Sequence, residues 1–416
     1  MSSTSLPTAS PDVLVIGAGP SGAIASALLK RRGWKVLVLE GQRFPRFSIG
    51  ESLLVHCLDF VEEAGMLPAV DAAGFQFKSG AAFIRGEEYG DFDFSQRFTP
   101  GRPSTYEVQR APFDKLLADE AEKQGVEIRY EVRVTGIDLS GATPQVTACD
   151  TAGTQFDITP RFVLDASGFA RTLPRLLGLE TPSTFPVRNA VFTHVEDRAA
   201  AGAFDRNKIQ IVVHPRHKDV WFWLIPFPNR CSIGVVASRE FFAGYPSNPD
   251  ERLRRIVAEE PFLTRVLEDA LWDTPARELG GYAANVTTMH GPGFALLGNA
   301  AEFLDPVFSS GVTIAMRSAS MAAGLLDRQL RGEGIDWQSE FEAPLRKGVD
   351  TFRAYVSAWY DGRFQDIMFA KTQTPEIRRM ICSILAGYAW DESNPFVAQP
   401  ERRLDMVAQL CARAAG

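Results

Sequence analysis

Three glycines carry the first recognisable chemistry of this chain. Gly17, Gly19 and Gly22 lie in the run Gly-Ala-Gly-Pro-Ser-Gly, between an apolar stretch ending at Ile16 and an alanine-rich stretch from Ala23. That spacing suits a pyrophosphate. Gly17 permits a tight turn, Gly19 lets backbone approach the phosphates, and Gly22 lets a helix pack close to the preceding strand. The helix N-terminus supplies free N–H groups and the positive end of a dipole. Glu40 closes a second apolar run. It is placed to accept hydrogen bonds from a ribose, and its charge disfavours a 2′-phosphate. Residues 12–16 and 35–39 read as buried parallel strands and residues 23–32 as a helix. Together these parts predict a dinucleotide-binding unit.

Further polar groups follow in order. Ser48-Ile49-Gly50-Glu51-Ser52 comes after Arg43 and Arg46, and Tyr106 to Arg110 leads into a helix over 111–123. A strand at 162–164 ends in Asp165-Ala166-Ser167-Gly168, with Arg171 beyond. A strand at 294–297 ends in Gly298-Asn299, followed by Asp305-Pro306 and Ser309 to Val312. Ser310 and Gly311 lie just before a helix expected over 313–326, where backbone N–H groups can face an anion or an electron-rich ring edge. The plainer alternative is a capped helix after a turn.

In this order the motifs resemble FAD-dependent proteins of the p-hydroxybenzoate hydroxylase-like superfamily. The resemblance implies cofactor contacts from Gly17, Gly19, Gly22, Glu40, Arg46, Ser48, Ile49, Arg110, Asp165, Gly168, Asn299, Asp305, Pro306, Gly311 and Val312. Phe44 to Leu54, Trp221-Phe222-Trp223-Leu224-Ile225-Pro226 and Asp305 to Val312 are similar to segments of FAD-dependent halogenases of the phenol and pyrrole type. This narrower resemblance runs from about Asp12 to Leu326. It implies a flavin hydroperoxide that oxidises chloride or bromide, and hypohalous acid relayed to an aromatic, phenolic substrate by Lys78. It also implies halide held at Ser310 and Gly311, and a substrate pocket including Phe83, Trp221, Trp223 and Pro226. The implied substrate is free or carrier-bound.

The residues themselves allow both readings. Lys78 stands among Phe75, Phe77 and Phe83, which would desolvate it and favour the neutral amine, although most lysines are solvated surface charges. Trp221 and Trp223 alternate on a strand and face one side; plain core packing is the alternative. Asn299 stands where the family often has Asp. No second glycine motif for a nicotinamide is present, which points to a separate flavin reductase. No carboxylate matches the one that indole-acting halogenases place near their substrate. His214 and His217 are separated by Pro215 and lack partners at ligand spacing, so no metal is expected. There is no GxSxG.

The elements that must hold these groups set the fold class: α/β, with a Rossmann-like FAD-binding domain, an antiparallel-sheet substrate domain and a helical C-terminal region. We divide the chain into 1–75, 101–185 and 281–330 for the flavin, 76–100 and 186–280 for substrate, and 331–416 for the helical tail. There, Phe352, Tyr355, Val356 and Trp359 recur at helical spacing. The 416 residues carry 44 Lys and Arg against 51 Asp and Glu. That balance speaks against nucleic acid and membrane surfaces as partners. Five scattered cysteines without a CxxC fit a reduced compartment. The start, Met1 to Pro11, lacks the basic and apolar parts of a secretory signal. No run of about 18 apolar residues suggests a membrane span, so a cytoplasmic enzyme is expected. Phe (29) far outnumbers Tyr (8), which assigns the aromatics to core or pocket lining. Two alternatives share the FAD: a dehydrogenase or ene-reductase of the geranylgeranyl-reductase type, and a non-catalytic electron-transfer flavoprotein.

Overall fold

A computed structural model describes residues 10–370 and 374–415. Residues 1–9, which carry most of the stretch read for a secretory signal, lie outside the described residues.

The short apolar runs become the centre of a six-stranded sheet. Its order is His290–Gly291, Phe294–Leu296, Phe162–Asp165, Val13–Ile16, Val36–Glu40 and Glu127–Tyr130. Only the edge pair His290–Gly291 with Phe294–Leu296 is antiparallel. Val13–Ile16 and Val36–Glu40 are buried throughout, as strands covered on both faces by helices must be. Helices Pro20–Arg31 and Ser310–Leu330 pack against one another over the sheet, and Arg110–Lys123 packs beside the first of them. The first helix begins at Pro20, three residues earlier than the apolar spacing indicates, because proline is well suited to the first helical position.

A second sheet has seven strands, in the order Arg277–Gly280, Asn189–Val195, Cys231–Ala237, Trp221–Pro226, Lys208–Val213, Gly80–Arg85 and Glu88–Asp93. The expected antiparallel sheet is present with one exception: Lys208–Val213 and Gly80–Arg85 run parallel. Such a pair needs a long crossover, and here the intervening chain passes through the first sheet. The strand Gln76–Lys78 pairs with Thr105–Glu107, tying the start of this sheet region to the first scaffold.

The tail is helical as expected. Ala343–Tyr360, Arg363–Phe369 and Pro375–Leu385 pack Phe352, Tyr355, Val356, Trp359 and Phe364 into a fully buried cluster under the second sheet. Among the described residues no helix is long and apolar enough to cross a membrane.

Candidate active site

Between the two sheets lies a cavity of about 610 Å³. Its floor is the glycine turn. Gly17 has φ +95°, and a Cβ there would meet the Ala166 carbonyl oxygen at 2.6 Å. A Cβ on Gly22 would lie 1.9 Å from the Gly17 oxygen. Gly22 therefore does not face the cavity; it lets the helix close on the turn. Gly17, Gly19 and the helix start at Pro20 and Ser21 do face it. Glu40 also lines the cavity, and its carboxylate is held by the Ala18 N–H at 2.9 Å and the Gln42 N–H at 3.0 Å.

Three arginines line the cavity wall, Arg46, Arg110 and Arg133. Asp114 fixes the first two, accepting from Arg46 at 3.0 Å and from Arg110 at 2.7 and 3.0 Å. Sequence reading passed over Asp114, although Arg110 and Asp114 show the i, i+4 spacing of a helical ion pair. At the far end, Gly168, Asn299, Pro306, Gly311 and Val312 line the cavity with Ser48 and Ile49. The cradle is thus continuous from a helix N-terminus with the Glu40 carboxylate beside it to a second helix N-terminus, with side-chain-free backbone at both ends. Its residues fit FAD.

Several expected contacts lie one layer back. Asp165 is wholly buried and accepts from the Ser167 and Leu173 N–H groups at 2.8 and 2.6 Å. It shapes the turn that places Gly168. Asp305 is also enclosed, capping Val307 N–H at 3.0 Å and accepting from the Tyr360 hydroxyl at 2.8 Å. Burial pushes its carboxyl up to about 6 despite the Tyr360 hydrogen bond. Trp221 Nε1 donates to the same hydroxyl at 3.1 Å, so the tail helix braces both the Asp305 turn and the tryptophan strand. Ser310 does not line the cavity. The helix Ser310–Leu330 starts at Ser310 rather than after it, and Ser309, at φ +55°, makes the turn that exposes Gly311.

Trp221 and Trp223 share one side of their strand, with ring centroids 6.1 Å apart, and both line the cavity. Ile209, Ile225 and Leu279 complete an apolar wall with them. The other two expected pocket residues do not reach it. Phe83 is fully buried against Phe92 and Trp359, because Gly80–Arg85 turns that face towards the tail helices. Pro226 ends its strand at an outward alternation, buried but away from the cavity.

Lys78 is 1% exposed. The phenylalanines around it in sequence are not its neighbours in space. Phe77 points to solvent, Phe75 packs edge-on against Phe113, and the ring near Nζ is Phe94, at 5.4 Å. Nζ donates to Ser52 Oγ at 2.6 Å and to the Leu53 carbonyl at 2.8 Å. Ser52 lines the cavity, so the Lys78 amine sits one hydrogen bond behind its wall. Burial lowers the pKa of Lys78, opposed by Glu107, whose Oε1 is 3.9 Å away. Glu51, also on the wall, pairs with His194 Nε2 at 2.8 Å. Ser52, Glu51 and Glu107 stand inside motifs recognised in the sequence, but nothing in their spacing brings them to Lys78. Among the described residues no cluster could hold a metal ion; His214 pairs instead with Glu259 at 3.2 Å.

Comparison with known proteins agrees with the cradle. The FAD binding domain family model matches residues 10–340. The chain is 26% identical over 402 residues to the 1H-pyrrole-2-carbonyl-(peptidyl-carrier protein) chlorinase of Pseudomonas fluorescens, covering 90% of this chain and 89% of that protein. Among solved structures, a flavoprotein/dehydrogenase from Cytophaga hutchinsonii is similar at 44% identity and a TM-score of 0.94, over 98% of this chain and 100% of that one. The flavin-dependent brominase Bmp2 is similar at 25% identity and a TM-score of 0.83, over 96% and 99%.

Proposed function

This chain belongs to the FAD-dependent halogenase family, and from that membership we propose that it halogenates a small electron-rich aromatic substrate, a phenol, by way of Lys78. Bound and reduced, FAD would supply the oxygen activation that turns chloride or bromide into hypohalous acid. The chain does the rest. Gly17, Gly19 and the two helix N-termini hold the phosphates and ring edge; Arg46 and Arg110, locked by Asp114, fix the cofactor's entry; and Gly311 offers an N–H to the halide. Trp221, Trp223 and Ile225 exclude water and give a flat ring an apolar wall.

One observation carries this reading: the Lys78 amine is buried one hydrogen bond behind the cavity wall. A lysine so placed favours its neutral form and is shielded from solvent. It can hold hypohalous acid by a hydrogen bond and present it without losing it to water. The phenol's own oxygen activates the ring, so no further carboxylate is needed beside it. The relatives named for pyrrole carried on a peptidyl carrier protein make a carrier-borne ring the variant to test beside free phenol. The single dinucleotide cradle supports a separate flavin reductase as the source of reduced FAD.

The test supplies reductase, oxygen and bromide, and seeks brominated phenol by mass spectrometry. Lys78→Ala and the length-matched Lys78→Met should each abolish the product while retaining FAD. Normal bromination by either variant would sink the assignment.

A second reading has one observation in its favour, the 44% identity to a flavoprotein/dehydrogenase. The apolar wall would then receive an alkene, and Lys78 would be structural. Halide-independent turnover of an alkene, unaffected by Lys78→Met, would establish it.

A further inference from the structure

Glu107 is fully buried, and among the described residues neither of its carboxylate oxygens has a hydrogen-bond partner. A carboxylate without hydrogen bonds or a close charge is among the least favourable groups to bury. Lys78 Nζ is the cation that faces it, 3.9 Å from Oε1, within ion-pair distance yet beyond a hydrogen bond. An ammonium has three protons. Ser52 Oγ and the Leu53 carbonyl take two of them, leaving the third for the side on which Glu107 lies.

The other titratable groups around the pair do not compensate it. Glu51, on the loop beside Ser52, is committed to His194 from the second sheet. Cys57, on the helix His56–Glu63, is pushed by burial up to about 11 and stays a neutral thiol. Lys78 and Glu107 therefore depend on each other, on the paired strands Gln76–Lys78 and Thr105–Glu107.

We propose that Glu107 is a positioning residue for Lys78: its carboxylate faces the lysine's third proton and sets the pH at which the amine becomes uncharged and able to accept a hydrogen bond from hypohalous acid. This rests on the relay reading of Lys78. Glu107 holds the proton on Nζ, while their common burial opposes both charges, lifting Glu107 to about 7 and lowering Lys78. Two groups so close titrate as a pair.

The test reads charge directly. In the full chain labelled with ¹³Cε-lysine, the Lys78 signal is the one absent from Lys78→Met, and it is followed from about pH 6 to about pH 9. Glu107→Gln removes the negative charge that holds the lysine's proton. The pH at which Lys78 loses its proton should fall by about one unit, a tenfold change in its protonation constant. The acid limb of the halogenation profile should move the same way. Should Glu107→Gln not fold, a ¹³Cδ-glutamate label in the unmodified chain replaces it, and the Glu107 carboxyl must titrate in step with Lys78. An unmoved Lys78 titration in Glu107→Gln, or independent titration of the two labels, overturns the proposal. The relay itself fails on a separate readout, a Lys78→Met protein that still halogenates.

Discussion

Trp223 lies flat over Gly234, its cross-strand partner, so closely that a Cβ at position 234 would sit 2.2 Å from the indole Cζ2. A glycine inside a strand weakens it; here it provides the space that lets Trp223 turn its face to the cavity while Nε1 donates to Ser232 Oγ at 3.0 Å. Gly234→Ala should push the indole off its seat. Overpacking of this kind costs about 1–3 kcal/mol. The check is urea unfolding together with tryptophan emission. Combining Gly234→Ala with Trp223→Phe, which shortens the ring, should recover part of the loss. Unchanged stability and emission in the single variant would show that Gly234 does not seat the indole.

Gly19 and Gly22 should differ in their tolerance of a methyl group. At Gly22 the new Cβ meets backbone, the Gly17 oxygen at 1.9 Å; at Gly19 it meets the end of a flexible side chain, Arg46 at 3.3 Å. Gly22→Ala should therefore deform the phosphate turn and weaken FAD binding roughly tenfold or more. Gly19→Ala should leave the turn intact and lose FAD only through its methyl group, which would stand on the cavity wall beside Arg46. Urea unfolding of the flavin-free chains distinguishes them, Gly22→Ala alone being destabilised. Equal stability of both variants would show that the turn does not depend on Gly22.

Two buried groups should make stability depend on pH in opposite directions. His56 is held neutral, its pKa lowered by burial from 6.5 to about 4. Between those values the unfolded chain binds the extra proton. The His56 contribution is full above about 6.5 and is lost as pH falls towards about 4, by about 3 kcal/mol. Asp305 is raised by burial from 3.8 to about 6, so there the folded chain holds the extra proton. Its contribution is most favourable below 3.8 and declines as pH rises through about 6, also by about 3 kcal/mol. Urea unfolding at about pH 5 and about pH 8 tests both. Relative to the unmodified chain, His56→Gln should be more destabilising at the higher pH, and Asp305→Asn less so. Parallel behaviour of the two variants would contradict the assignment.

Much of the cavity lining was legible before the fold was known. Gly17, Gly19, Glu40 and Gly311 present backbone or a strand end, so their places on the wall follow from neighbours a few residues away. The strand–turn–helix order is enough to aim them. Arg46 and Arg110 were recognised with their motifs, whereas Asp114, which joins them, was missed because it touches no ligand.

The surroundings of Lys78 were not legible. A strand alternates its faces, so Phe77 beside Lys78 in sequence is carried to the opposite side, while Phe94 arrives from another turn. Phe83 was expected at the pocket, and the tail helices took it into their own core. Asp165 and Asp305 hold the turns on which cavity residues stand rather than lining the cavity themselves.

By itself the sequence determined the cofactor class and the α/β scaffold, because local backbone geometry at glycines, helix starts and strand ends suffices for both. The tertiary structure alone decided which groups share a chamber with Lys78. Ser52, Phe94 and Glu107 meet it only through strand register and the closure of one loop over a paired strand. Their effect on its proton comes from burial in common, a property no single stretch of chain possesses.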